Sequence, residues 1–152
     1  MIIRQATIAE AKEVLCDHFI YDCISSDGAP KIEDYEPGEA FYVGGFIDGK
    51  IAALLVFHPK SNILWQVHVQ VLKDYRARAM EFAEKGLGFF WNSAQSVIKL
   101  CAEIPDLYPN VLNFALKANF KIDGRIDNAY LKNGKLYSLY YLSLERDCYG
   151  MG

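Results

Sequence analysis

A chain of 152 residues is enough for one domain and no more. Hydrophobic residues at 52%, charged residues at 23% and aromatics at 14% exclude a disordered tail or a fibrous repeat. The formal charge of -3, with no strongly basic stretch, makes duplex nucleic acid an unexpected partner.

Met1–Gln5 is a short apolar run and a first strand, without the basic region and apolar core of a signal peptide. Thr7-Ile8-Ala9-Glu10 matches a capping box, and Ala11, Val14, Leu15 and His18 follow at helical spacing, so a helix is expected from Ile8 to about His18. Phe19–Ile24 continues it or starts a second, short helix. Asp27-Gly28, Pro30 and Glu36-Pro37-Gly38 mark Ser25–Gly38 as a loop. Ala40–Ile47 and Lys50–His58 read as a hairpin closed by Asp48-Gly49. Ile63–Leu72 alternates as a third strand of that group, with Trp65, Val67, Val69 and Val71 on one face and Gln66, His68 and Gln70 on a polar face.

From Tyr75 the period changes to three and four, through Met80, Ala83, Leu87 and Phe90, and predicts a helix to about Trp91. Gly86 and Gly88 weaken that helix unless they serve close packing. Ser96–Glu103 is a strand, Tyr108 to Ala118 a helix, and Phe120–Tyr130 and Lys135–Leu144 a hairpin turning at Asn133-Gly134. Strands outnumber helices and every helix lies between strands. The expected fold is a single α/β domain over residues 1–152, built on a mixed, mostly antiparallel sheet of about seven strands with helices on both faces.

The four cysteines, Cys16, Cys23, Cys101 and Cys148, include no Cys-x-x-Cys pair and fit no zinc spacing. They read as reduced thiols, and no metal is expected. No stretch approaches the roughly 20 apolar residues of a membrane span. A cytoplasmic protein is expected. Ten Tyr and nine Phe are many for this length. They concentrate in the first hairpin, in Phe89-Phe90-Trp91 and in Tyr137, Tyr140 and Tyr141. Core packing explains most of them, and the Tyr-rich C-terminal hairpin is a candidate contact surface for a homodimer or a protein partner.

The order of elements and three segments resemble the GNAT superfamily of acyl-CoA-dependent N-acyltransferases, over essentially the whole chain. Ile2-Ile3-Arg4-Gln5-Ala6-Thr7 resembles the family's opening strand and capped helix. Val71-Leu72-Lys73-Asp74-Tyr75-Arg76-Ala77-Arg78-Ala79-Met80 resembles the strand-loop-helix that grips the pyrophosphate of coenzyme A. Asn113 to Gly124 is similar to the family's late helix-to-strand passage. The resemblance implies acetyl-CoA as cosubstrate and an amine as acceptor. It also implies a cofactor grip made by Val69, Val71, Arg76, Ala77, Arg78, Ala79, Met80 and Asn113, although Asn113 reads equally as a strand cap.

The residues support the phosphate grip independently, since a helix start offers free amides and the positive end of its dipole, and two Arg add charge. An ordinary basic helix start on a solvated surface is the alternative. The family's usual glycines are replaced by Ala79 and Glu81, and the latter puts a negative charge near the phosphates. The late-helix Tyr that protonates the departing thiolate falls at Ala115; Tyr108, about one to two turns earlier, is the nearest candidate. His68 is the candidate base, since an unperturbed imidazole titrates near physiological pH, or else a hydrogen-bonded residue of a mixed strand face. Glu103 is a second acid-base candidate, or a solvated strand end. Two functions follow: an N-acetyltransferase acting on a small or protein amine, or a catalytically degenerate GNAT-fold assembly protein of the phage type, associated with a virion.

Overall fold

The computed structural model describes residues 1–146, so Cys148 lies outside the described residues. The elements in chain order are β1 (Ile2–Gln5), α1 (Ile8–Leu15), α2 (His18–Ile24), a 3₁₀ turn (Ile32–Asp34), β2 (Phe41–Ile47), β3 (Lys50–Pro59), β4 (Leu64–Val71), a second 3₁₀ helix (Lys73–Arg78), α3 (Ala79–Ser93), β5 (Lys99–Pro105), α4 (Pro109–Lys117), β6 (Lys121–Lys132) and β7 (Lys135–Glu145). Seven strands form one sheet in the order β1-β2-β3-β4-β5-β7-β6. The β1–β2, β2–β3, β5–β7 and β6–β7 pairs are antiparallel, and β4–β5 is parallel. No helix among the described residues is long and apolar enough to cross a membrane.

The chain groups into two compact units. The first contains Met1–Ser25, Pro30–His58 and Val67–Gln95. Its helical start follows the capping box: Thr7 Oγ1 accepts from the Glu10 amide at 3.1 Å, and the Glu10 carboxylate accepts from the Thr7 amide at 3.0 Å. The single helix expected to His18 is two helices, because Asp17 leaves the helical conformation and caps α2 through the Phe19 and Ile20 amides. Ala11, Val14, Leu15 and Ile20 bury against Tyr42, Phe46, Ile51, Leu54 and Val56. A second packing group is aromatic. Phe57 stacks on Phe90 with centroids 3.9 Å apart, and Phe41 meets Phe57, Phe89 and Phe90. Gly86 lets α3 approach Leu55 of β3, since a Cβ there would come within 2.4 Å of Leu55 Cδ1.

The second unit contains Ser26–Ala29, Pro59–Gln66 and the chain from Ser96 onward. Strand β5 starts at Lys99, later than the sequence predicts, and alternates cleanly: Leu100, Ala102 and Ile104 are buried, while Lys99, Cys101, Glu103 and Pro105 are partly open. Helix α4 ends in a Schellman motif with Asn119 at φ 73, where the Phe120 amide donates to the Ala115 carbonyl and the Asn119 amide to that of Leu116. Asn133 and Gly134 both have positive φ, 52 and 76, as a two-residue I′ hairpin requires. The Asp27 carboxylate accepts from both of their amides, at 2.8 and 2.9 Å, and the Asp27 amide donates to the Leu131 carbonyl. Edge strand β6 is exposed along most of its length. Its charged residues and two register irregularities are features that discourage open-edge pairing. The exposed large apolar residues of this hairpin are the aliphatic Ile122, Ile126, Leu131 and Leu136, whereas Tyr137, Tyr140 and Tyr141 are partly buried. The Tyr excess of the last strands is therefore mostly packing.

Candidate active site

In the first unit, β4 leads into the segment expected to grip phosphate, and its geometry differs from the expectation in one respect. The helix predicted from Tyr75 begins at Ala79, and Lys73–Arg78 forms a 3₁₀ helix before it. Arg76 and Arg78 thus stand ahead of α3, with Arg78 at its N-cap position. The Ala79 amide closes the 3₁₀ helix on the Arg76 carbonyl, and no side chain caps the amides that follow it in the first turn of α3. Ala77 is exposed, and Ala79 and Met80 are partly buried.

Both guanidinium groups have partners. Arg76 lies 4.4 Å over the ring of Phe19, an exposed aromatic of α2. Arg78 forms a fork with the Glu81 carboxylate, at 3.0 and 2.9 Å from Nη2 and 3.2 Å from Nε. Arg78 first, then Lys85, hold the Glu81 carboxyl well below its usual range, at about 2. Glu81 is thus an anion at every pH of interest and occupies Arg78 directly.

His68 is partly buried on β4, and its ring sits edge-on to that of His58 on β3, 5.9 Å between centroids. His58 was not distinguishable in the sequence, because only the strand pairing brings the two together. On the polar face expected for β4, Gln66 is buried, 7% exposed, and His68 and Gln70 are partly buried. The β4–β5 ladder covers Leu64↔Lys99 to Gln66↔Cys101, so Val69 and Val71 lie beyond it along β4.

The other candidates belong to the second unit. Glu103 is partly buried on β5, directly opposite Tyr141 of β7. Tyr108 is partly buried at the N-cap of α4, where its amide donates to the Pro105 carbonyl at 3.0 Å and Pro109 opens the helix. Asn113 is exposed within α4 and caps no strand, which removes that alternative. Ala115 is buried. Among the described residues no group of three or more His, Cys, Asp or Glu side chains is arranged to hold a metal.

No family model matches the chain, and no curated protein matches it in sequence. Solved structures do match in shape. The spermidine N-acetyltransferase SpeG of Vibrio cholerae, solved as a point mutant, superposes with TM-score 0.81 at 9% identity, over 99% of this chain and 98% of that one. The Salmonella typhimurium protein yncA, solved with its cofactor acetyl-CoA, gives TM-score 0.73 at 14% identity over 95% and 93%. An acetyltransferase of the GNAT family from Streptococcus pneumoniae gives 0.67 at 15% over 95% and 98%. The chain has the GNAT fold. The phage-type expectation finds no support in these structures.

Proposed function

We propose that this protein is an acyl-CoA-dependent N-acetyltransferase that transfers an acetyl group from acetyl-CoA to a primary amine of a small molecule or a protein. The observation that carries the reading is the end of β4: a strand, a 3₁₀ turn with two Arg, and an α3 start that no side chain caps, within a GNAT fold. Those amides, the helix dipole and the guanidinium groups suit a pyrophosphate. Ala77 and Ala79 are small enough to let the backbone approach it. The Arg78–Glu81 pair is partly exposed and screened by solvent, so Arg78 can exchange it for a stronger anion.

Bound acetyl-CoA supplies the acyl group as a thioester. The chain's own residues do the rest. Val69 and Val71 offer backbone groups beside the pantetheine, and Asn113 is a further contact. His68, alone or through an ordered water, accepts the proton of the attacking amine, with Glu103 the second candidate base. Tyr108 is the candidate donor of a proton to the departing thiolate sulfur.

A second reading, a GNAT-fold assembly protein without catalysis, draws on one observation, that Glu81 neutralises one of the two Arg, and on the resemblance, which implies a Tyr where this chain has Ala115. Calorimetric titration with acetyl-CoA separates the two. The enzyme reading expects saturable binding that weakens at least about tenfold when Arg76 and Arg78 both become Ala, as for loss of charge-assisted phosphate contacts. Absence of binding at millimolar acetyl-CoA removes the enzyme reading.

A further inference from the structure

We propose that Glu103 and Tyr141, on the partly open face of the β5–β7 ladder, seat the ammonium group of an alkyl primary amine, with Leu139 and Ile126 beneath its chain. Pairing places three rungs side by side on this face. The middle rung is Glu103–Tyr141–Gly124. On one side lies an apolar rung, Pro105–Leu139–Ile126, and on the other Cys101–Ser143–Lys121.

Four features of these rungs point to a cationic ligand with an aliphatic body. First, Glu103 is partly buried and makes no ion pair among the described residues, while the cations around it are engaged elsewhere. Lys99 and Lys121 pair with Glu145, and Arg125 pairs with Asp127. Lys60 stands near Cys101, outside ion-pair distance of Glu103. This carboxylate has no cation among the described residues, and a bound ammonium supplies one. Second, the Tyr141 phenol is a hydrogen-bonding neighbour of that carboxylate; burial first, then the Glu103 charge and the hydrogen bond to it, push the phenol above its usual range and keep it a neutral donor. Its oxygen retains a lone pair for an ammonium N–H. Third, the Ser143 hydroxyl, one rung away on the same face, is 3% exposed and has no hydrogen-bond partner. An ammonium brings three donors, and these three side chains offer three acceptors. Fourth, Gly124 beside Tyr141 has open space where a side chain would stand, and Ile126 is 52% exposed. The rung thus has room above it and an apolar floor next to it.

As the acceptor amine of an acetyl transfer, this ligand rests on the function proposed above; as an alkylammonium seat, it does not. Titration of the full chain with n-butylammonium chloride at constant ionic strength, followed by amide NMR, reads the seat directly. Saturable shifts at Glu103, Gly124 and Tyr141 are expected, with none from n-butanol. Glu103→Gln is expected to weaken binding at least about tenfold, as for loss of a charge-assisted contact. Gly124→Leu, which fills open space and leaves the carboxylate intact, is expected to block it as well. Shifts that fail to saturate, or that survive both substitutions, overturn the seat. Kinetics with acetyl-CoA separate the two ideas. Binding of n-butylammonium without release of CoA thiol removes the acetyltransferase reading and leaves the seat standing. Release of thiol by Glu103→Gln at an unchanged KM for the amine removes the seat and leaves the enzyme.

Discussion

Glu81 serves two opposing purposes with one carboxylate. At the third position of α3 its charge complements the helix dipole, and its fork to Arg78 fixes the turn in front of the helix. The same position faces the site proposed for a pyrophosphate, where that charge repels. Because Arg78 and Lys85 hold the carboxyl at about 2, protonation never relieves the repulsion near neutral pH. Only substitution or displacement does. Glu81→Gln keeps the length and polarity of the side chain and releases Arg78. The expected result is acetyl-CoA binding tighter by about three- to tenfold by calorimetry, the scale of one recovered charged contact. Tightening that persists when Arg78 is also Ala would show that Glu81 acts by repulsion and not by occupying Arg78.

The helix that opens the chain shows a carboxylate working in the other direction. Arg4 foremost, then the Thr7 amide, hold the Glu10 carboxyl at about 2. Arg4 Nη2 reaches Glu10 Oε2 at 2.7 Å, so one residue joins the end of β1 to the first turn of α1. An unfolded Glu titrates near 4.3. A folded value below the unfolded one contributes stability that is complete above the unfolded value and disappears as pH falls through the folded one. The urea midpoint of the wild type is therefore expected to exceed that of Glu10→Gln by a constant margin above about pH 5. That margin closes as pH falls toward 2. A margin independent of pH across that interval would assign the effect to the shape of the cap and not to its charge. This box was legible in the sequence because its partners are three residues apart. So were both Asp/Asn-Gly turns and the left-handed Asn119, whose backbone demands are local. The start of α3 was not. Lys73–Arg78 has ordinary helical composition, and 3₁₀ and α turns share those preferences. The Arg76–Phe19, His58–His68 and Glu103–Tyr141 neighbours were also hidden, since each needs pairing or packing between elements far apart in the chain.

At the scale of the molecule, the fold is retained at 9–15% identity to the acetyltransferase structures compared, so the shape is set by patterning that many sequences satisfy. Fold alone does not define an activity, and the segment proposed to hold the pyrophosphate is where the two readings of this chain separate. Binding that segment stabilises the native chain in proportion to the logarithm of ligand concentration over Kd. At one hundred times Kd the gain is about 2.7 kcal/mol. For a chain of this size that raises Tm by roughly 5–10 °C. Thermal scans in acetyl-CoA are expected to show that rise, and scans in dephosphorylated pantetheine, which lacks the pyrophosphate, a much smaller one. Equal rises with both compounds would move the binding energy away from α3 and onto the strand backbone at Val69 and Val71. No rise with either, in a protein that unfolds cooperatively, would leave the GNAT fold serving a purpose other than acyl transfer.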